Sequence, residues 1–194
     1  QPQLLWMFAG LFFHVLAHCG IYVFYSLYLD SLGFSKTMIG LLWAVSVVAE
    51  VTWFFTQSRW LPRLSLSAWL VVCAAVTVLR MGLTAGAASA PGSLVLLLLL
   101  TAQLLHAVSF AAHHSVCVAL LSQHFSGRLR GRGQALYTVI GYGFPGVLAG
   151  VLGGVLVEKM GLAPVFIVGC AISIVATGCA LKAWRLQLAL AGPA

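Results

Sequence analysis

From Leu94 to Phe125 the chain runs through 32 residues without a single Asp, Glu, Lys or Arg. At about 1.5 Å of rise per residue this is about 48 Å of helix, longer than the ~30 Å hydrocarbon core of a bilayer. The run is too long and too apolar for a soluble core helix, and a membrane span is the fold it dictates. Within it stand Gln103, His106, Phe110 and His113, spaced three and four apart and therefore on one helical face. Polar groups at bilayer depth face protein or water and avoid lipid, so this stripe predicts a cavity beside the helix.

The rest of the 194 residues follows the same logic. Hydrophobic residues make up 62% and charged residues 7%, against roughly 45–50% and 25% in soluble domains. Six apolar stretches stand out, about 4–29, 37–57, 66–87, 94–125, 134–157 and 163–184, each near or above the ~20 residues of a spanning helix. The breaks between them carry turn chemistry at Asp30 to Gly33, Pro62, Ala90-Pro91-Gly92, Gly127 to Gly133 and Lys159 to Gly161. None is long enough for a further domain. The expectation is an all-α polytopic membrane protein, a single transmembrane domain over 1–194.

The first apolar stretch lacks a basic leader and a small-residue cleavage site, so it reads as a spanning helix and not a signal peptide. Arg59, Arg63, Arg128, Arg130, Arg132, Lys182 and Arg185 fall in loops or ends on one side, and only Lys36 and Lys159 on the other. The positive-inside rule puts the first set, with both termini, in the cytoplasm. The formal charge of +7 is thus a signature of topology, and no nucleic-acid partner is expected. Six helices with both ends on one side allow a 3+3 inverted repeat, although the two halves show no clear self-similarity in sequence. The five cysteines all lie in apolar runs without Cys-x-x-Cys spacing, which gives neither a disulfide framework nor a zinc site.

Chemistry is expected where polar groups break the apolar pattern. Glu50 lies near the middle of the second stretch and shares a face with Ser46, Trp53 and Gln57; an acid at that depth must be partnered or protonated, which suits proton carriage. Arg80 is the only basic residue far from a loop. Its planar fork fits a carboxylate, so it either pairs Glu50 or binds an anionic solute, unless it snorkels to the interface. His106 and His113 share a face, and a histidine can relay protons or hydrogen-bond a solute. His14 and His18 share a face of the first helix with Tyr22 and Tyr25, and His114 is about 100° round from His113. In the fifth stretch Gly146, Gly150 and Gly154 allow a close helix approach, and Pro145 allows a kink. The sixth carries only Ser173 and Thr177 as hydroxyls, and its outer side is expected to face lipid.

Leu42-Trp43 with Val47 to Val51, Val78-Leu79-Arg80, Gln103-Leu104-Leu105-His106 with His113, and Gln134-Ala135-Leu136-Tyr137 resemble the carboxy-terminal six helices of major facilitator superfamily transporters. The likeness is to the phenylpropionic acid transporter type, itself similar to the lactose permease group, and covers about Leu11 to Leu181. The resemblance implies one half of a twelve-helix, proton-coupled secondary transporter in the bacterial inner membrane, carrying a small organic solute such as an aromatic or other carboxylic acid. It implies an amino-terminal six-helix half as partner, helices 1, 2, 4 and 5 lining the cavity, and no enzyme activity, metal or cofactor. On this reading Glu50, Arg80 and His106 couple protons. Arg80, Gln103, His106, His113, His14, His18, Tyr22, Trp43 and Tyr137 meet the solute. The chain departs from lactose permease in having Ser109 where that group has an acid one turn after its histidine, and in lacking its acids in the first of these helices and its lysine in the fifth. Two other readings stay open: a histidine-rich membrane metalloenzyme, from His14-x-x-x-His18 and His113-His114, and a non-transporting membrane interaction subunit.

Overall fold

The computed structural model describes residues 2–191; positions 1 and 192–194 of the expected domain lie outside the described residues. Among those residues are six helices long and apolar enough to cross a membrane. They are α1 (Pro2–Ser31), α2 (Lys36–Trp60), α3 (Leu66–Gly86), α4 (Ser93–His124), α5 (Gly127–Met160) and α6 (Ala163–Ala191). Four lie within a few residues of the limits expected from sequence. α6 runs seven residues further, because nothing between Arg185 and Ala191 breaks a helix, and α5 starts seven residues earlier, at Gly127, taking in the polar turn Gly127 to Gly133.

Local chemistry sets the ends. Ser35 and Ser65 cap α2 and α3, their hydroxyls accepting from the amides of Met38 and Ala68 at 3.2 Å each. An unsatisfied amide at a helix start would otherwise have no partner. Gly33 and Gly161 take positive φ, +85° and +86°, which a side chain would resist, and turn the chain between α1 and α2 and between α5 and α6. Lys36 pairs with Asp30 at 2.6 Å across the first of these turns, outside the apolar spans.

The helices pack chiefly as α1 on α6, α3 on α6, α1 on α5, α3 on α4 and α2 on α4. Exchanging α1–α3 with α4–α6 maps the α1·α6 contact onto α3·α4 and α1·α5 onto α2·α4, the relation an inverted repeat of two three-helix sets requires. α6 lies behind, between α1 and α3, burying Phe166, Ser173, Ala176 and Ala180, while Ile167, Ile174, Val175 and Leu188 stay exposed. That outward apolar surface matches the expectation for this helix.

Lipid offers no hydrophobic drive between helices, so close packing of small residues holds them. On α5 the close contacts are not at Gly146, Gly150 and Gly154, whose Cα atoms face open space, but at Gly141 and Gly153. A Cβ on Gly153 would stand 2.4 Å from the Phe24 ring, and one on Gly141 3.2 Å from Leu11. Two helices widen locally into π-helix, α4 over Ala107–Ala112 and α5 over Val139–Gly143. The second ends just before Pro145, which has no amide hydrogen to continue the α ladder. Wide turns of this kind re-aim side chains and recur at functional sites.

Candidate functional site

Arg80 is the largest fully buried side chain, 1% exposed, and faces α4 with Thr77 and Thr84 buried on the same side. It points inward and does not snorkel. Its Nη2 donates to Gln103 Oε1 at 3.0 Å, and its Nη1 donates to His106 Nδ1 at 3.0 Å and towards Ser109 Oγ at 3.4 Å. An arginine can only donate. His106 Nδ1 is therefore the acceptor, and the ring proton sits on Nε2, which lies 3.1 Å from Glu50 Oε2. Glu50 and Arg80 do not touch each other. His106 stands between them and passes the pull of a buried cation to a carboxylate at the surface of the bundle, the His106 side chain being 4% exposed and that of Glu50 26%.

Ser109 extends the network to α1. Its carbonyl accepts from His14 Nε2 at 2.7 Å, and its hydroxyl, 3.4 Å from His18 Nε2, donates to that ring because His18 Nδ1 donates to the His14 carbonyl at 3.1 Å. His14 stacks on His113 with centroids 3.6 Å apart and on His18 at 4.7 Å. His14, His18 and His113 are buried to within 4% exposure. They stand behind the wall, bracing the turn that holds Ser109, and none reaches the open side in this conformation.

The open side is aromatic. Tyr22, 44% exposed, stacks on Trp43 at 6.1 Å and meets His106 and Phe110 edge-on at 6.5 and 5.8 Å. Trp43 is held by a 3.0 Å bond from Nε1 to Ser26 Oγ. His106 stacks on Phe110 at 4.9 Å, and Phe110 on His114 at 6.4 Å. At the far end Tyr137 reaches His114 Nδ1 at 3.0 Å and Tyr142 Oη at 3.1 Å.

The structure thus gathers Glu50, Arg80, Gln103, His106, Tyr22 and Trp43 in one place, with Tyr137 two rings further along. Sequence reasoning gave Ser109 no role, ranked His114 below His113 and passed over Tyr142. The π turn explains the order of the histidines: its wider winding continues the His106 and Phe110 face at His114 and turns His113 inwards. The four-residue spacing of His106, Phe110 and His114 was the available signal. A concavity of about 1020 Å³ is a separate apolar groove lined by Val45, Val48, Thr52, Trp69, Leu100 and Leu104, and neither Glu50 nor His106 borders it.

Six helices long and apolar enough to span a membrane thus hold a buried arginine, a histidine bonded to it and a partly exposed carboxylate bonded to that histidine. The sequence pattern of the MFS_1 like family matches residues 1–168, and the chain belongs to that family. It is 27% identical over 145 residues to the "Probable 3-phenylpropionic acid transporter" of Escherichia coli (strain K12), a match that takes in 75% of this chain and 36% of that protein. The chain therefore spans well under half the length of this relative. No solved structure matches it. Membership of this family points to transport and away from catalysis.

Proposed function

We propose that the chain forms the carboxy-terminal six-helix half of a proton-coupled transporter for an aromatic carboxylic acid, seated in the bacterial inner membrane with both termini cytoplasmic. An amino-terminal six-helix half supplies the opposite wall. The observation that carries this reading is the relay from Arg80 through His106 to Glu50. His106 has one outward N–H, and Glu50 takes it. A solute carboxylate and an ionised Glu50 repel each other and compete for that hydrogen.

Protonation of Glu50 removes the repulsion and weakens its hold on Nε2, so the solute carboxylate takes its place, backed by Arg80 through the ring. Proton and anion then bind together, which is the requirement of symport. Tyr22, Trp43 and Phe110 present the apolar faces and edges that suit an aryl group. The relative's name gives 3-phenylpropionate as the first solute to test. In proteoliposomes holding the complete carrier, an inward proton gradient should raise labelled 3-phenylpropionate above its external concentration. Uptake indifferent to the gradient would remove the coupling, and absence of uptake would remove the solute class.

A further inference from the structure

The hydrogen bonds at the far end of the aromatic row leave one donor and one acceptor unused. Tyr137 Oη lies 3.0 Å from His114 Nδ1, and Tyr142 Oη lies 3.1 Å from Tyr137 Oη and 3.4 Å from the same nitrogen. One nitrogen lone pair takes one short bond. With Nδ1 as acceptor, Tyr137 donates to it and Tyr142 donates to Tyr137; the other tautomer reverses the chain, Nδ1 donating to Tyr137 and Tyr137 to Tyr142, and either way one donor and one acceptor are left over, divided between His114 Nε2 and Tyr142 Oη. In the first arrangement His114 carries its proton on Nε2 and the Tyr142 oxygen is left to accept, in the second Nε2 accepts and the Tyr142 hydroxyl is left to donate; among the described residues neither remaining group has a partner. Tyr137 is buried, while His114 and Tyr142 are half-buried. An open groove of about 590 Å³ runs past Tyr142 along Thr138, Val139, Gly143, Phe144 and Val147. Tyr142 belongs to the π turn Val139–Gly143, five residues from Tyr137, and the two phenols meet at their hydroxyls.

This polar end is joined to the proton relay by one continuous row of rings. His106, Phe110 and His114 stack with tilts of 5° and 20°, so both faces of Phe110 are covered and only the edges of the row are presented outward. Tyr22 shows how a ring meets that row, edge-on to two of its members at 83° and 78°. A solute with its carboxylate at His106 lies along the row with its ring against Phe110, and the far end of the ring comes to His114. We propose that His114, Tyr137 and Tyr142 form a second polar subsite that takes the hydroxyl of a ring-hydroxylated aryl-alkanoate. The proposal rests on the reading of His106 as the carboxylate end. A hydroxyl suits the subsite because it accepts from one of His114 Nε2 and Tyr142 Oη and donates to the other at once. A methoxy group only accepts, and an unsubstituted ring leaves both groups without a partner.

The test is competition in the full-length carrier. Inhibition of labelled 3-phenylpropionate uptake is measured for unlabelled 3-phenylpropionate, its 4-hydroxy derivative and its 4-methoxy derivative. The hydroxy acid should inhibit about tenfold more strongly than the parent, and the methoxy acid no better than the parent. Within each of Tyr142→Phe and His114→Phe, the ratio of the hydroxy and parent inhibition constants should fall to within about twofold, since either change removes one half of the recognition. A wild type that does not prefer the hydroxyl, or accepts methoxy equally, overturns the subsite while leaving aromatic acid carriage standing, as does a preference undiminished in both variants. A wild type that takes up no 3-phenylpropionate overturns the subsite together with the reading beneath it.

Discussion

Arg80 carries a permanent charge and is 1% exposed, which is why the proposed chemistry turns on it. Its three acceptors, Gln103, His106 and Ser109, all come from α4. Removing a partner of a buried charge costs about 3–5 kcal/mol, since the charge is left uncompensated. Arg80→Lys is accordingly not conservative: one ammonium cannot reach Gln103 Oε1 and His106 Nδ1 in the planar fork, and the relay to Glu50 fails. We expect at least about a tenfold rise in the KM of uptake, equivalent to about 1.4 kcal/mol; unchanged KM and pH profile would reduce Arg80 to a packing residue. Ser109→Ala leaves the carbonyl bond to His14 but removes the partner of His18 Nε2 and one of Arg80. It should cost about 1–2 kcal/mol of stability, read as a lower Tm in detergent. Ser173→Ala is the comparison, its hydroxyl bonding only the Gly169 carbonyl of its own helix at 2.7 Å, and equal losses in the two would deny Ser109 its bridging role. Glu50, Arg80 and His106 stood out in the sequence because ionisable groups are rare at bilayer depth. Ser109 did not, since half of what it does is done by a backbone carbonyl that any residue has.

At the scale of the helix, length and the absence of charge were enough to read six spans from the sequence, and turn residues fixed most of their limits. What hydropathy does not encode is the change from α to π winding. It alters no composition, yet it turns His113 inward onto His14 and carries His114 along the open face. The glycines teach the same lesson. Spacing singled out Gly146, Gly150 and Gly154, whereas packing uses Gly141 and Gly153, because which glycine is approached depends on how α5 is rotated against α1. Gly153→Val should therefore drive a branched side chain into Phe24 and cost about 1–3 kcal/mol. Gly150→Val, set in open space, should cost little. Comparable Tm losses for the two would show that α5 is rotated differently on α1.

For the whole molecule, the contact pattern leaves α6 behind and gathers Tyr22, Trp43, Glu50, His106 and Phe110 on one side. A transporter works by rocking one half-bundle against another around a site between them. Residues 1–194 alone should insert with six spans and carry nothing; robust uptake by this chain by itself would mean that it pairs with itself or that the half-carrier reading is wrong. The central claim is that Glu50 loads the proton that admits the solute, and replacing its carboxyl with an amide addresses that claim directly. In proteoliposomes of the complete carrier, Glu50→Gln is assayed for proton-driven accumulation of 3-phenylpropionate and for exchange of labelled against unlabelled solute. An amide cannot cycle a proton but resembles the protonated acid, so accumulation should vanish while exchange continues. Accumulation at the wild-type level, with the amide in place, would contradict the account.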